Sequence, residues 1–157
     1  MPLICHEESV WPFPPLAVPL VGERVVDAHA VRELVKRTIQ ELGGLDIVVN
    51  NAGVFFDHRI DEIDYDDWQK AWQKTLGINL VGPANLIHQA VPAMIENGGG
   101  SILNIGSVTS HLPLSRVFAY SAAKAAVVNL TKNVAREYAE KNVRVNVLCP
   151  GFFPAEQ

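Results

Sequence analysis

A tyrosine and a lysine lie four residues apart in the stretch Tyr120-Ser-Ala-Ala-Lys124. If this stretch is helical, the spacing places both side chains on one face, one turn apart. A free tyrosine is a poor acid or base near neutrality, but a lysine ammonium a few ångströms away favours the phenolate. The tyrosine can then transfer protons as a general acid or base. Such a pair also occurs on ordinary amphipathic helices, so it is informative only together with other residues.

A serine accompanies this pair. Ser107 lies thirteen residues before Tyr120 and directly follows the apolar segment 101–106. In a parallel sheet, functional side chains collect at the carboxyl ends of the strands. A hydroxyl at this position could hold a substrate oxygen in place while the tyrosine transfers the proton.

A turn with the sequence Asn50-Asn51-Ala52-Gly53 follows another apolar segment, 45–49. Asparagine side chains can brace a turn through neighbouring backbone groups, while Ala52 and Gly53 would let a flat ligand approach the main chain. On its own the turn could equally be a structural connection. Its place after a predicted strand favours a binding role.

Asn79 lies within a long helical pattern, where asparagine is a poor helix former. Pro83 follows four residues later and has no N–H group, so the carbonyl of residue 79 loses its usual helical donor. This carbonyl could bind a water or a charged side chain. The alternative is a helix kink without a function.

Hydrophobic periodicity predicts an alternation of helices and strands. Asp27 is a suitable N-cap for the first helix, and Gly43-Gly44 would end it. Strand, helix, strand, helix, strand with short connections is typical of parallel βαβ units. The predicted helices are 28–42, 66–97 and 118–141, the strands are 45–49, 101–105 and 143–148, and 54–64 is a loop. The inward face of the last helix is expected to carry Ala119, Ala122, Ala123, Ala126, Leu130 and Val134.

The composition of the 157-residue chain is ordinary for one globular domain, with 48% apolar residues, 19% charged residues and a net charge of −4. The lack of a basic balance argues against a nucleic-acid partner, and no apolar segment of about 18 residues predicts a membrane-spanning helix. Two distant cysteines and five dispersed histidines form neither a disulfide framework nor a metal-ligand pattern. We therefore expect no metal, no membrane association and a reducing, cytoplasmic setting.

The first 21 residues contain five prolines and differ from the rest of the chain. Prolines at this density prevent a continuous helix. We predict an irregular, proline-rich lead-in over residues 1–21, followed by one domain over residues 22–157.

Together these motifs resemble the short-chain dehydrogenase/reductase family over residues 18–153. The resemblance implies an NAD- or NADP-dependent oxidoreductase that interconverts an alcohol and a carbonyl in a small-molecule substrate. It implies that four residues form a catalytic tetrad: Asn79, Ser107, Tyr120 and Lys124.

The same resemblance implies a role for each of these residues. Tyr120 exchanges a proton with the substrate oxygen, which Ser107 polarises. Lys124 binds the nicotinamide ribose and promotes the phenolate of Tyr120, and Asn79 holds a relay water. The implied cofactor-binding residues are Asn51, Ala52 and Gly53 on the adenosine side, and Tyr120, Lys124, Pro150, Gly151 and Phe153 on the nicotinamide side.

The sequence departs from the family pattern in two places. It contains no TGxxxGxG loop, whose amides would hold a pyrophosphate at a helix N-terminus, and it ends shortly after Pro150-Gly151. We therefore expect a partial Rossmann-like α/β fold: a doubly wound parallel sheet that lacks the first βαβ unit, with its glycine-rich loop, and the last strand. The predicted strands would be neighbours in this sheet.

Two functions therefore remain open. The chain is either an oxidoreductase or a protein without catalysis, which would be a truncated remnant of the family or a fragment that binds a partner. In both cases we expect a homo-oligomer or association with a full-length relative, because unpaired sheet edges and the outer faces of the helices 66–97 and 118–141 would be exposed.

Overall fold

The structure is a computed structural model that describes residues 22–152. The predicted lead-in over residues 1–21 and the predicted cofactor contact at Phe153 lie outside this range. The helices are α1 (Ala28–Leu42), α2 (Tyr65–Leu76), α3 (Gly82–Glu96) and α4 (Phe118–Tyr138), and the strands are β1 (Ile47–Asn50), β2 (Gly100–Ile105) and β3 (Val143–Leu148). Short 3₁₀ turns occupy Gly22–Val26, Val108–Ser110 and Ala139–Lys141.

The ends of α1 follow directly from the local sequence. The Asp27 carboxylate accepts hydrogen bonds from the backbone N–H groups of His29 and Ala30, at 2.8 and 3.2 Å. Gly43 ends the helix in the left-handed conformation, at φ 81°, and its N–H donates to the Ile39 carbonyl. Both predicted ends of this helix are confirmed.

The three strands form a parallel sheet in the order β1-β2-β3. Val48 pairs with Ile102, and Ile102 pairs with Val145 across the next ladder. Consecutive parallel strands joined by helices are βαβ units, as predicted. The carboxyl ends of the three strands consequently lie along one edge of the sheet.

The helices α1, α3 and α4 pack against the same face of the sheet. The core contains Val35 from α1 and Met94 from α3, and it contains the inward residues Val48, Ile102 and Val145 of the three strands. Leu130, Val134 and Tyr138 of α4 pack against this cluster. Burial of these side chains is the main force that holds the helices in place.

The long helix predicted over residues 66–97 is interrupted by a π-helical turn at Gly77–Val81, between α2 and α3. The N–H of Gly82 donates to the Gly77 carbonyl, five residues back. Pro83 has no N–H to contribute to a regular α-helical ladder, so the irregularity falls directly before it. The sequence predicted the place of the irregularity but not its form.

The prediction for the inward face of α4 is wrong in part. Ala119 and Ala123 are buried as expected, but Ala122 is exposed. The polar residues Lys124 and Thr131 lie on the buried face instead. Helical periodicity assigns polar residues to solvent, whereas here hydrogen bonds to the neighbouring strand and helix backbone allow their burial.

Candidate active site

The N-terminal half of α4 holds Tyr120 and Lys124 one turn apart. The Lys124 Nζ lies 5.6 Å from the centroid of the Tyr120 ring. It donates a hydrogen bond of 2.6 Å to the Ile105 carbonyl at the end of β2. The predicted proximity of the ammonium and the phenol is therefore present, and β2 holds the lysine in position.

Burial changes the acid–base properties of this lysine. The Lys124 side chain is only 4% exposed. Removal from water disfavours the ammonium and lowers the pKa of Lys124 to about 8, although Cys149 opposes the shift weakly. Close to neutral pH the group can thus both carry charge and exchange a proton.

Ser107 lies directly after β2, with extended backbone angles of φ −163° and ψ 158°. It caps the 3₁₀ turn Val108–Ser110, since its Oγ accepts a hydrogen bond from the Thr109 N–H at 3.2 Å. The bond uses an oxygen lone pair and leaves the hydroxyl proton available. The capped side chain can therefore donate to a substrate oxygen.

The Asn79 side chain reaches across to the loop after β1. Its Nδ2 donates to the Val54 carbonyl at 2.6 Å and to the Thr75 carbonyl at 3.0 Å, while its Oδ1 accepts from the Val54 N–H at 3.2 Å. This side chain is 1% exposed. The sequence indicated a role for the main-chain carbonyl of Asn79, but no sequence pattern indicated that its side-chain amide binds both the N–H and the carbonyl of Val54.

Gly53 lies close to both the Asn79 side chain and the Lys124 ammonium. A Cβ atom added there would stand 2.9 Å from the Asn79 Oδ1 and 3.7 Å from the Lys124 Nζ. The first distance is shorter than a tolerable contact, so a side chain would push the turn away from Asn79. The glycine of the Asn50–Gly53 turn therefore permits a close approach to the tetrad residues, while the turn itself stays open to solvent on its other side.

The third strand end is tied to the serine loop. The Val108 N–H donates to the Pro150 carbonyl at 2.8 Å, and the Gly106 N–H donates to the Leu148 carbonyl at 2.7 Å. A Cβ on Gly151 would meet no atom within 4 Å, so the main chain there is open. The predicted turn at Pro150-Gly151 thus lies beside the loop that carries Ser107.

Phe55 was not predicted. Its ring contacts the Tyr120 ring edge to face, with the centroids 6.1 Å apart, and about half of its side chain is exposed. The available sequence signal was its place two residues after Gly53. Because the ring borders the tyrosine, it can limit which substrates approach the hydroxyl.

The remaining predictions about ligands concern metals and membranes. Over residues 22–152, no three histidine, cysteine, aspartate or glutamate side chains come together in a way that could hold a metal ion. No helix in that same part of the chain is long and apolar enough to cross a membrane.

Comparisons with known proteins identify the family and the fold of the chain. A profile of the short chain dehydrogenase family matches residues 18–156. An uncharacterized oxidoreductase of Thermotoga maritima is 37% identical over 87% of this chain and 52% of its own length. A 3-oxoacyl-[acyl-carrier-protein] reductase of the same organism is 36% identical over 82% of this chain and 50% of its own.

A solved structure is similar as well. The gluconate 5-dehydrogenase of Burkholderia cenocepacia, in complex with NADP and tartrate, superimposes with a TM-score of 0.76 at 33% identity. The match covers 84% of this chain and 50% of that one. The chain thus spans about half the length of the relatives that it matches. Its fold, the convergence of its strand ends and the match over residues 18–156 show that it belongs to the short-chain dehydrogenase family.

Proposed function

We propose that the protein catalyses the NAD- or NADP-dependent interconversion of an alcohol and a carbonyl in a small-molecule substrate. The observation that carries the proposal is the position of the Lys124 ammonium, 5.6 Å from the Tyr120 ring and hydrogen-bonded to the end of β2. Family membership supports an oxidoreductase, and this arrangement supplies the proton chemistry that such a reaction needs.

In the direction of alcohol oxidation, the Tyr120 phenolate accepts the hydroxyl proton of the substrate. Ser107 donates its hydroxyl hydrogen to the same oxygen, since its Oγ only accepts a hydrogen bond from the Thr109 N–H and leaves that hydrogen free. The nearby ammonium of Lys124 stabilises negative charge on the tyrosine ring. Carbonyl reduction reverses the proton transfer, and Tyr120 then acts as the acid.

The described residues fit a dinucleotide, whose adenosine side would lie at the first of two turns and whose nicotinamide side would lie at the second. The turn at Asn51, Ala52 and Gly53 and the turn at Pro150-Gly151 flank the strand edge where Lys124 lies, and both are open to solvent on one side. When bound, the nicotinamide would accept or donate the hydride. We propose Phe153 as a further contact, and we propose that Asn79 orders the loop at Val54 and holds a relay water with its carbonyl.

The rival function is a non-catalytic protein that binds a partner. It is favoured by one observation, the absence of a TGxxxGxG loop from the sequence. Charged hydrogen bonds of the kind that such a loop provides contribute about 1.5–3 kcal/mol each. Because the loss of two or more such bonds corresponds to about two to four decades in affinity, we expect the 157-residue chain to bind NADH and NADPH that much more weakly than a loop-bearing relative. We also propose a cytoplasmic location and self-association or binding to a full-length relative.

The proposal is tested by Tyr120→Phe, with Tyr65→Phe as the control. Both changes remove one phenolic hydroxyl, but Tyr65 is exposed on α2 and lies outside the site. We expect Tyr120→Phe to lower carbonyl reduction by about 10²–10⁴-fold, and the control to retain parental turnover. Equal turnover in both variants would refute the acid–base role. No turnover by the parent with either cofactor, over a panel of ketones and secondary alcohols, would favour the rival.

A further inference from the structure

Three buried polar side chains form a continuous hydrogen-bond chain through the covered face of the sheet. The Asn50 Nδ2 donates to the Asn104 Oδ1 at 2.8 Å. The Asn104 Nδ2 donates to the Thr131 Oγ1 at 2.8 Å, and the Thr131 hydroxyl donates to the Val127 carbonyl at 2.8 Å. Asn104 and Thr131 are 0% and 4% exposed. The family comparisons and the catalytic proposal assign nothing to this chain of bonds.

The chain of bonds joins β1, β2 and α4, the elements that lead into the turn at Gly53 and position Ser107, Tyr120 and Lys124. Asn50 is the last residue of β1 and directly precedes the turn that contains Gly53. Asn104 neighbours Ile105, whose carbonyl accepts the Lys124 hydrogen bond. Thr131 lies seven residues after Lys124, two turns along the same buried face of α4.

We infer that Asn50, Asn104 and Thr131 are positioning residues that set the placement of α4 along the sheet, and thereby hold the Lys124 ammonium at the end of β2. The inference rests on the proposed function for its catalytic meaning. Its structural basis is independent, because apolar contacts are non-directional and tolerate sliding of a helix. Buried hydrogen bonds do not tolerate sliding, since a shift would leave buried donors without acceptors.

A purely stabilising role is the alternative, and Thr38 provides the matched control. The Thr38 hydroxyl donates to the Leu34 carbonyl four residues back at 2.9 Å, as Thr131 does to Val127, but on α1 and without an asparagine partner. Thr38→Val and Thr131→Val therefore remove the same local bond. Only the second change also breaks the link to Asn104.

The test follows Lys124 by NMR titration of its side-chain methylene signals in the full chain, with the signals assigned from their loss in Lys124→Met. We expect Thr131→Val to raise the titration midpoint of Lys124 by about one pH unit from its value near 8, because a displaced helix admits water to the ammonium. Thr131→Ser, which keeps the hydroxyl, should restore the parental midpoint. Thr38→Val should leave it unchanged.

Turnover gives a second readout where the protein is active. Thr131→Val should lower kcat about tenfold with little change in KM, whereas Thr38→Val should not. If Thr131→Val does not fold, Asn50→Ser provides the same titration test, because it removes the side-chain amide that donates to Asn104 and leaves a hydroxyl on a shorter side chain. An unchanged Lys124 midpoint in a folded Thr131→Val or Asn50→Ser variant overturns the inference. That outcome is distinct from failure of the proposed function, which the Tyr120→Phe comparison decides.

Discussion

The two faces of the three-stranded sheet differ sharply in their surroundings. On one face Val48, Ile102 and Val145 are almost fully buried under α1, α3 and α4. On the other face Ile47, Val49 and Leu148 are 68%, 53% and 54% exposed. In β1 both faces are apolar, so alternation of residue type does not explain the difference there, whereas β3 places Arg144 and Asn146 on the exposed face beside Leu148.

The first strand, β1, therefore has the sequence of a strand that is covered on both sides. In parallel α/β sheets the strands read as continuous apolar runs because helices cover both faces. Among residues 22–152, helices cover one face only. The exposed apolar side chains of Ile47, Val49 and Leu148, here called the bare face, are therefore a surface that the proposed association could bury.

The largest expected effect on stability comes from comparing a buried isoleucine on the covered face with an exposed isoleucine on the bare face. Ile102→Ala removes a fully buried side chain and should lower the free energy of unfolding by about 3–4 kcal/mol. Ile47→Ala makes the same chemical change on the bare face of the adjacent strand, and it should change this free energy by less than about 0.5 kcal/mol. Urea unfolding of both variants measures the difference. Equal losses would mean that Ile47 is buried in solution.

A smaller and opposite effect is expected for the buried cation at the active-site end of the covered face. Lys124→Met removes a charge whose burial is unfavourable but leaves the Ile105 carbonyl without its donor. We expect a net gain in unfolding free energy of about 1–2 kcal/mol at pH 7. A loss of stability at pH 7 would show that the hydrogen bond outweighs the burial of the charge.

The pH dependence provides a check on that prediction. Because the folded-state pKa of Lys124 is about 8, below the ordinary value of 10.5, the unfolded chain binds more protons between these two pH values. Stability of the parent should therefore rise with pH through this window. The Lys124→Met variant lacks this contribution, so the difference between the two proteins should shrink as the pH rises from 8 to 10.5. Chemical denaturation at several pH values measures it.

A further effect concerns the N-cap of α1, one of the helices that cover the sheet. Asp27→Ala removes the N-cap acceptor of two backbone N–H groups and should destabilise the protein by about 1 kcal/mol. Asp27→Ser keeps an acceptor and should lose much less. Thermal melts of the two variants distinguish capping from a general charge effect, because both remove the carboxylate.

The smallest expected effect on stability comes from placing lysines on the bare face. The same change should have a separate effect on association. Ile47→Lys combined with Val49→Lys should change the free energy of unfolding by about 0.5 kcal/mol or less. It should also shift the protein towards the monomer in analytical ultracentrifugation. The control is Arg37→Lys with Lys70→Arg, which alters exposed helix positions without adding charge. An unchanged association state in the charged variant would place the contact elsewhere.

Local sequence was sufficient for the elements whose ends depend on neighbouring residues. Asp27 and Gly43 determine α1 through capping and a left-handed residue, and both act within one helical turn. The third strand was predicted at Val143–Leu148 with its observed bounds, because apolar β-branched residues alternate there. Periodicity was misleading on α4, where it placed Ala122 on the apolar face although this residue is exposed, and where the polar residues Lys124 and Thr131 are buried.

The residues of the candidate site were predictable from the sequence, but the hydrogen bonds that connect them to the rest of the fold were not. Tyr120, Lys124 and Ser107 are recognisable from spacing and from their places after strands or on one helix face. The Asn79 amide bonding to Val54 and the Asn50–Asn104–Thr131 chain join residues that are 25 to 54 positions apart. Such pairings depend on how helices lie on the sheet, which no local pattern specifies.

By itself the sequence determined the order of helices and strands, the parallel βαβ arrangement and the identities of the candidate catalytic groups, because these follow from periodicity, capping and spacing. Only the tertiary structure decided that Lys124 is buried against Ile105, that a π-helical turn precedes Pro83, and that among residues 22–152 the apolar side chains of Ile47, Val49 and Leu148 lie bare on one face of the sheet. The physical reason is that burial and long-range hydrogen bonds depend on which surfaces meet in space. A residue's type constrains these contacts without selecting them.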